Sequence, residues 1–317
     1  MLQDFRGICR YTTSEKIAGI EFEKQNLLLA NIRPYLKKVW FANFSGAAST
    51  DVLVLKATTI VPGFLKHIIA NESFISYVMS AVKGSKMPRG DKSHILNYTL
   101  GMPCHDEQQK IADFLSLVDE RIEKQRQLVE VLKRYKRGAL LKIFDGCETW
   151  TKYLAKDVGK ISTGSSNTQD SVPNGMYPFF IRSASVSKSN KFVYDGEAVL
   201  TIGDGQIGKV FHYINGKFDC HQRVYMITKF TNISGRYFYH FFSTFFYNRA
   251  MKMSARNTVD SVRMEMIADM PIYVPGKQEE LRIVCFLDGI DSQIQKQEQV
   301  LESMILYKNG LLQKMFI

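Results

Sequence analysis

Apolar residues recur at alternating steps of four and three along two stretches of the chain, residues 103–146 and 275–317. Such heptad spacing keeps an apolar stripe on one side of a helix, and the stripe needs a facing helix to cover it. About forty helical residues extend about 60 Å, so each stretch is predicted to form a rod. The predicted coiled-coil seam consists, in chain order, of Ile111, Leu115, Val118, Ile122, Gln125, Val129, Leu132, Ile283, Leu287, Ile290, Ile294, Gln297, Leu301 and Met304.

The two stretches are copies of one another. The segment from Pro103 to Phe144 aligns without a gap with the segment from Pro275 to Phe316, 172 residues later. Identical pairs in this alignment include Asp119 and Asp291, Gln125 and Gln297, and Lys136 and Lys308. A repeat at one wide spacing predicts two similar modules in one chain and a pseudo-twofold molecule.

The pairing of the two rods is open at this point. Stripes of this kind are common, so a coiled coil that serves homodimerisation is one interpretation. Both rods lie in one chain, however, and each follows a non-helical module, so an antiparallel pair within the chain is also available. The matching Gln and Lys residues put polar groups in the seam, where such groups cost stability but can fix register and partner.

Outside the rods, short apolar runs separated by polar turns predict two mixed α/β modules. Each pattern predicts two strands joined by a turn, a short strand, an apolar helix, a basic loop and a strand that leads into the proline. The corresponding residues are 26–44, Val52 to Leu55, Phe64 to Met79 and 83–92 in the first module, and 197–214, Val224 to Ile227, Tyr237 to Met253 and 252–263 in the second. The predicted fold class is α+β, with domains at 1–102, 103–146, 147–274 and 275–317.

Composition narrows the function classes. The 317 residues are 45% hydrophobic and carry a net charge of +11, with a pI near 9.3. This charge favours an anionic partner, nucleic acid first and a membrane surface second. No apolar run approaches the ~20 residues that span a bilayer, and the first residues lack the apolar core of a signal peptide. Five scattered cysteines without a CxxC pair indicate reduced thiols in a cytoplasmic protein.

Two motifs suggest other chemistry. The run Gly203–Lys209 (GDGQIGK) fits the spacing of a nucleotide-binding loop, but such a loop needs Ser or Thr next and a helix whose N-terminus meets the phosphates. Val210 and a β-rich run follow instead, which favours a glycine-rich hairpin turn. The pairs Cys104–His105 and Cys220–His221 have no second pair at zinc spacing, so no metal is expected. A Cys–His nucleophile needs a proximity that sequence does not show.

The rods carry a resemblance to a known family. The phrase PCHDEQQKIADFLSLVDERIEKQRQLVEVLKRYKRGALLKIF resembles the central conserved region of the specificity subunits of type I restriction–modification systems, and PGKQEELRIVCFLDGIDSQIQKQEQVLESMILYKNGLLQKMF resembles their C-terminal conserved region. The segments ANIRPYLKKVWFANFSGAASTDVLVLK and GSKMPRG resemble the later part of a target-recognition domain. The stretch that begins TWTKYLAKDVGKISTG resembles a whole such domain, ending at Val274.

The resemblance implies a function and partners. Each recognition domain of that family reads one half of a bipartite site on double-stranded DNA, and the two conserved helices form an antiparallel coiled coil that holds the domains apart. Methylase subunits dock on this scaffold and carry the S-adenosylmethionine and the chemistry, and restriction subunits join through them. The specificity subunit is not an enzyme, so the resemblance implies no catalytic residue, metal or cofactor on this chain.

One departure from the family pattern affects the first module. The counterpart of residues 147–172 would lie before Met1, so the first recognition domain is predicted to be shortened. Three explanations stay open: a truncated or rearranged gene, a true start that lies upstream, and a missing part that comes from another polypeptide, with self-association as one way to complete the domain. Two alternative functions stay open. A truncated relative would bind methylase subunits as a regulator or decoy and read at most one half-site. An enzyme of another class would bind a nucleotide at the GDGQIGK loop.

Candidate DNA contacts come from the basic loops. They are Lys86, Arg89 and Lys92 in the first module, and Arg182, Lys188, Lys209, His221, Arg223, Arg256 and Arg263 in the second. Lysines more often hold phosphates, whereas arginine can also fork onto guanine edges in the major groove. His221 and Arg223 follow the second hairpin and are candidates to read bases. For any single one of these residues, a solvated surface position is an equal alternative.

Overall fold

The computed structural model describes residues 1–8, 19–253 and 261–316. The chain forms two compact units, one made of Met1–Val129 with Lys296–Ile317 and the other of Glu130–Gln295. Each unit combines one module with a section of both predicted rods. The mixture of helices and strands confirms the predicted α+β class. None of the described helices is both long enough and apolar enough to cross a bilayer.

The module of the first unit is built on a three-stranded sheet. Its elements are β1 (Ile20–Phe22), β2 (Leu27–Ala30), β3 (Val39–Phe41), β4 (Gly46–Ala48), β5 (Val52–Leu55), α1 (Pro62–Ile69), α2 (Glu72–Ser80) and α3 (Lys92–Leu96). The strand order is β3-β2-β5, with antiparallel neighbours, and β1 pairs with β4. Leu27 and Leu29 of β2 are buried in one cluster with Phe64 of α1 and Phe74 of α2.

Two predicted elements of this module are wrong. The helix predicted from Phe64 to Met79 is two helices, α1 and α2, because the side chain of Asn71 accepts a hydrogen bond from the backbone N–H of Ser73 (3.1 Å) and caps a new helix. The strand predicted to lead into the first proline is not formed at residues 99–102. Its counterpart in the second unit is a strand, because there it has a partner.

The module of the second unit has a six-stranded sheet. Its elements are β6 (Thr151–Leu154), α5 (Ala155–Val158), β7 (Lys160–Thr163), β8 (Tyr177–Phe180), β9 (Val186–Ser189), β10 (Tyr194–Ile202), β11 (Phe211–Cys220), β12 (Val224–Thr228), α6 (Gly235–Met253), α7 (Met264–Ala268) and β13 (Pro271–Val274). The strand order is β7-β12-β10-β11-β8-β9, and β6 pairs with β13. Three aromatic residues of α6, Phe238, Phe242 and Phe246, lie fully buried in the core.

Two 39-residue helices, α4 (His105–Ile143) and α8 (Lys277–Met315), follow the two prolines. Every residue of the predicted seam is buried or half-buried, and Leu115 of α4 and its counterpart Leu287 of α8 are fully buried. Within the first unit the two helices run antiparallel. Asp119 of α4 contacts Lys308 of α8, whereas Gln125, further along α4, contacts Gln297, which comes earlier in α8.

The two modules repeat each other in backbone geometry as well as in sequence. Strand β2 pairs with β3 in a register that places Leu27 opposite Phe41. Strand β10 pairs with β11 in a register that places Val199 opposite Tyr213, so both partners shift by the same 172 residues. The duplication therefore extends from the rods through the central sheet of each module.

The same lysine and aspartate join the long helices in each unit. In the first unit Lys308 Nζ lies 2.6 Å from Asp119 Oδ1, and in the second unit Lys136 contacts Asp291. All four residues are half-buried. Burial raises the pKa of the Asp119 carboxyl, but the ammonium groups of Lys308 and Lys66 outweigh it, and the pKa lies below its ordinary value. The carboxylate is therefore charged at neutral pH.

One buried side chain ties each module to a long helix. Gln108 of α4 accepts a hydrogen bond from the backbone N–H of Val61 (3.0 Å), which precedes α1. Its counterpart Glu280 of α8 accepts one from the N–H of Ser234 (2.8 Å), which precedes α6. The first N–H groups of a helix have no partner within that helix. Gln108 and Glu280 therefore provide acceptors at helix starts that pack against the long helices.

A phenylalanine directly follows each long helix, and its ring packs on a helix of a module. The ring centroid of Phe144 lies 5.1 Å from that of Phe241 on α6. The ring centroid of the counterpart Phe316 lies 5.3 Å from that of Phe64 on α1. Each module therefore contacts the beginning of one long helix and the end of the other.

Replacing Glu280 by alanine is expected to lower the free energy of unfolding by about 1–3 kcal/mol, because the Ser234 N–H would lose its acceptor. Glu280→Gln is expected to stay close to the parent protein, since Gln108 makes the same contact in the first unit. Chemical denaturation followed by circular dichroism measures both variants. Glu279→Ala, an exposed position beside it, is the control. Equal losses for the alanine and glutamine variants at position 280 would contradict this role.

Stability is also expected to fall with acidification through His67 of α1. The imidazole is fully buried, and burial together with the charge of Lys66 lowers its pKa to about 3. Because this pKa lies below the unfolded value of about 6.5, the unfolded chain binds the proton more tightly. The stabilisation is fully present above about pH 6.5 and is lost towards pH 3, at up to about 1.4 kcal/mol per pH unit.

His67→Leu removes this buried titrating group and is expected to flatten the dependence of the unfolding free energy on pH between about pH 6.5 and about pH 4. Burial also lowers the pKa of His240 in the second unit, so part of the slope persists. Denaturation curves across that range measure the effect, with a His105→Gln variant of an exposed residue as the control. A slope unchanged in His67→Leu would show that His67 does not set it.

Candidate nucleic-acid interface

Neighbouring strands of the second unit bring three charged residues together at their ends. Arg182 follows β8, Arg223 lies between β11 and β12, and Asp204 lies in the connection from β10 to β11. Asp204 Oδ2 accepts a hydrogen bond from Arg182 Nη1 at 3.2 Å and another from Arg223 Nη1 at 3.1 Å. Asp204 is half-buried, whereas both arginines are exposed. These three residues, with His221, are called the Asp204 cluster below.

The Asp204 cluster carries a net positive charge, because two guanidinium groups share one carboxylate. A guanidinium has five N–H donors in a planar fork. The contacts with Asp204 use one Nη1 of each arginine. Donors on both exposed side chains therefore remain for an anionic group or a base edge.

His221 forms the buried base of the Asp204 cluster. Its Nδ1 accepts a hydrogen bond from the backbone N–H of Arg223 (3.0 Å), which leaves the ring proton on Nε2. Burial lowers the pKa of the imidazole, the guanidinium of Arg182 lowers it further, and Asp204 opposes both. The ring is therefore neutral at neutral pH, and its hydrogen bond holds the backbone of Arg223.

The run Gly203–Lys209 is a hairpin connection. It joins β10 to β11, and the residues after Lys209 continue as a strand. Gly205 and Gly208 have φ angles of 79° and 64°, values that favour glycine. A strand thus follows where a nucleotide-binding loop would need a helix N-terminus. This argues against the nucleotide-binding interpretation.

Two further candidates of the second module occupy separate surface positions. Lys188 is exposed on β9. Lys209 is exposed at the end of the hairpin connection, with its Nζ 5.8 Å from the centre of the Tyr247 ring. Both are exposed ammonium groups, which suit phosphate contacts.

The segment that contains Arg263 is held near the Asp204 cluster by a backbone contact. It immediately precedes α7 and is exposed. A backbone bridge pairs Asp204 with Ser261, two residues earlier, and so brings this segment to the cluster. The remaining candidate, Arg256, lies outside the described residues.

The candidates of the first module lie around the turn before α3. Arg89 is exposed, and its Nη2 lies 3.1 Å from Asp51 Oδ1. Lys86 is exposed in the same turn, and Lys92 is the first residue of α3. The backbone bridge between Ile32 and Arg89 corresponds, at the repeat offset, to the bridge that brings the segment before α7 to the Asp204 cluster. The basic turn of the first module therefore lies where the second module has the segment before α7.

Sequence reasoning did not identify the acidic partners Asp204 and Asp51. Each holds at least one candidate arginine, and these pairs join residues that are far apart in the chain. The available signal was a lone acidic residue within a connection between two strands. That signal becomes specific only once strand order is known.

Among the described residues, neither cysteine–histidine pair belongs to a cluster of metal-ligand groups, and the Cys220 thiol is not activated. Cys220 is buried, and burial raises the pKa of its thiol to about 12. Its Sγ lies 3.6 Å from the carbonyl oxygen of Val224, as a weak donor. Cys104 is exposed just before α4, and Cys9 lies outside the described residues.

One group of metal-ligand types does occur in the described residues of the second unit. His240, Asp288 and Asp291 place one ligand atom each within 4.8 Å of one another. Arg236 binds Asp288 (3.1 Å), and Lys136 binds Asp291. Because both carboxylates already have cationic side chains as partners, this group is an ion-pair network rather than a metal centre.

The sequence matches a family model described as the type I restriction modification DNA specificity domain, over residues 9–134 and 147–303. A type I restriction enzyme EcoDI specificity subunit from Escherichia coli is 26% identical over 155 residues, which are 49% of this chain and 34% of that protein. A type I restriction enzyme MjaVIII specificity subunit from Methanocaldococcus jannaschii is 29% identical over 136 residues, 43% of this chain and 31% of that protein. These alignments span about a third of the length of each relative.

Solved structures share the fold at low identity. The crystal structure of the S subunit of a type I restriction–modification system from M. genitalium has a TM-score of 0.67 at 14% identity, covering 100% of this chain and 90% of that chain. A chain from a structure of type I restriction–modification complex assembly has a TM-score of 0.52 at 16% identity, covering 93% and 82%. Since the family model matches most of the chain and falls on both copies of the repeat, the protein belongs to the type I restriction modification DNA specificity domain family.

Proposed function

We propose that this chain is the DNA sequence-specificity subunit of a type I restriction–modification complex. It reads a bipartite site on double-stranded DNA and serves as a scaffold for methylase subunits. The observation that carries the proposal is the double family match, over residues 9–134 and 147–303, one on each copy of the repeat. The recognition domains are taken as 1–102 and 147–274, and the two conserved helical regions as 103–146 and 275–317.

The Asp204 cluster is the proposed centre of DNA reading in the second domain. Its two exposed guanidinium groups keep free donors in the planar arrangement that matches guanine edges and phosphates. Asp204 pairs with both guanidinium groups and so restricts their orientation, which lowers the entropy cost of using them. Exposed Lys188 and Lys209 are proposed to hold phosphates, and Arg89 is proposed as the reader of the first domain.

The chemistry of the complex is proposed to reside on partner subunits. The chain would catalyse nothing itself, and the S-adenosylmethionine would bind to the methylase. The family description, which names DNA specificity, supports this division. A cytoplasmic location and self-association that completes the first domain remain predictions from the sequence.

A second candidate function keeps the fold and changes the role. Among the described residues, β5 has a strand neighbour on one edge, whereas its counterpart β12 has one on each edge. A chain with one incomplete recognition domain would still bind methylase subunits through its long helices. It would then act as a regulator or decoy that reads at most one half-site.

Lys188→Ala is expected to lower affinity for all duplexes alike and to reduce the slope of log affinity against log salt by roughly one, because one phosphate contact releases about one counterion. Arg223→Ala is expected to relax specificity at one base pair, by about 1–3 kcal/mol. Fluorescence anisotropy with matched and mismatched duplexes at several salt concentrations separates the two effects. Arg282→Ala, an exposed cation of α8, is the control for loss of charge. A uniform loss for Arg223→Ala would assign Arg223 to the phosphates.

The function is tested by genome-wide DNA methylation, measured by single-molecule sequencing in cells that hold the cognate methylase with and without this chain. A new asymmetric bipartite motif is the expected result. A palindromic motif that repeats one half-site would mean that residues 147–274 alone read DNA, through two copies of the chain. Binding of the methylase without any new motif would favour the decoy. Absence of methylase binding would contradict the proposal.

A further inference from the structure

A series of polar contacts runs from the six-stranded sheet of the second unit to the long helix α8. Tyr213 of β11 donates a hydrogen bond from its hydroxyl to Glu197 Oε1 on β10 (2.8 Å). The guanidinium carbon of Arg236 on α6 lies 4.2 Å from the centroid of the Tyr213 ring. Arg236 Nε also lies 3.1 Å from Asp288 Oδ2 on α8. These four half-buried residues are called the Arg236 link below.

The charges of the Arg236 link are fixed by their surroundings. Asp288 Oδ1 accepts a hydrogen bond from His240 Nε2 (2.8 Å), and burial lowers the pKa of that imidazole, so the ring is neutral at neutral pH. Burial and the contact with Glu197 raise the pKa of Tyr213, so its hydroxyl keeps the proton that it donates. The guanidinium is therefore held between the Asp288 carboxylate and a tyrosine ring whose hydroxyl meets a second carboxylate.

The strands held by the Arg236 link also carry part of the proposed reading surface. Glu197 lies on β10, which leads into Asp204, and Tyr213 lies on β11, which follows Lys209. Helix α6 approaches β10 closely, because a Cβ added at Gly235, the first residue of α6, would lie 2.6 Å from Glu197 Cδ. Contacts of α6 therefore act on the two strands that the Asp204 connection joins.

The first unit does not repeat the Arg236 link. At the repeat offset, the counterparts of Glu197, Tyr213 and Asp288 are Gln25, Phe41 and Ser116. None of these three counterparts carries a charge, and phenylalanine lacks the hydroxyl. The first unit instead joins α1 to α4 by an ion pair between Lys66 Nζ and Asp119 Oδ2 (2.7 Å). Among the described residues, a module helix thus forms an ion pair with a long helix in both units, but the contacts extend to the sheet in the second.

The Arg236 link adds direction rather than strength to the docking of the second module. Phe144, Phe241 and Leu287 belong to one buried cluster that joins the module to both long helices. Apolar contacts of this kind are strong but non-directional. A half-buried ion pair contributes little to stability, whereas cation–π and charge-assisted hydrogen bonds have defined geometry. Loss of the guanidinium would therefore leave the module attached and its orientation less restricted.

We propose that Arg236 is a positioning residue that fixes the orientation of the second module against α8 and thereby restricts the spacing of half-sites that the protein accepts. It acts through Tyr213 on β10 and β11 and contacts no DNA itself. Because DNA advances about 3.4 Å per base pair, a shift of a few ångströms in the module changes the accepted spacing by about one base pair. The spacing rests on the proposed function, whereas the orientation of the module does not.

Double electron–electron resonance tests the orientation on the full chain without DNA. Spin labels are attached through Val186→Cys on β9 and Ser292→Cys on α8, both exposed, in a chain whose native cysteines are replaced. Arg236→Ala is expected to broaden the distribution of distances between the labels. Arg236→Lys, which keeps a cation beside Asp288, is expected to narrow it again. Arg282→Ala, an exposed arginine of α8, is the control and is expected to match the parent.

Asp288→Asn keeps the shape of its side chain and tests the other end of the ion pair. It is expected to broaden the distance distribution as Arg236→Ala does. Circular dichroism is expected to give a Tm close to that of the parent for both variants, since the apolar cluster is untouched. A distribution as narrow as the parent's in either variant, or loss of the fold in both, would overturn the proposal.

Sequencing of methylated DNA, in cells that hold the cognate methylase, tests the spacing. Arg236→Ala is expected to keep both half-site sequences of the parent and to methylate them at spacings that differ by about one base pair as well, and Arg236→Lys is expected to reduce this spread. Weaker methylation at the parent spacing alone would indicate a merely structural role and overturn the proposal. A parent chain that yields no bipartite motif would contradict the proposed function, and the resonance measurement would still decide the orientation.

Discussion

Asp119 and Lys136 lie seventeen residues apart in α4, and their counterparts Asp291 and Lys308 have the same spacing in α8. The aspartate of each helix forms an ion pair with the lysine of the other. Lys308 binds Asp119 and Lys136 binds Asp291, so one duplicated sequence satisfies both pairs when the helices run antiparallel. The favourable energy of such half-buried pairs is modest. A shift of one helical turn would leave charges unpaired at an apolar seam, which costs considerably more. The ion pairs therefore act mainly by excluding other registers.

The two modules depend on this register because each takes contacts from both long helices. Gln108 and Phe316 reach α1 in the first unit, and Glu280 and Phe144 reach α6 in the second. These contacts hold the modules by their helices and leave the loops at the strand ends exposed. The Asp204 cluster lies in such loops, where a rigid sheet beneath fixes the direction of exposed arginines. The contacts with the long helices and the proposed reading surface thus involve different parts of the second unit.

Sequence periodicity predicted the long helices, the offset between the copies and the glycine-rich hairpin, because these features follow from local spacing. It did not predict the break at Asn71, where a single side-chain hydrogen bond ends one helix and starts another. Nor did it predict Asp204 as the partner of Arg182 and Arg223, since that contact depends on the order of strands in the sheet. The stretch that leads into Pro103 was predicted as a strand, but a strand forms only where a partner is present. Periodicity indicates which element a segment can form, whereas a neighbouring strand determines whether a strand does form.

Antiparallel pairing of the long helices within one chain is tested most directly by cross-linking at Gln125 and Gln297, whose side-chain amides lie 2.8 Å apart. Both residues are replaced by cysteine in a chain whose native cysteines are replaced by serine or alanine, and a short bismaleimide is added. Antiparallel pairing within one chain predicts a monomeric cross-linked product whose yield does not change on dilution, and tryptic mapping would join the two helices. Each single-cysteine variant is the control and can give only dimers. Cross-links formed solely between chains, and lost on dilution, would contradict the account.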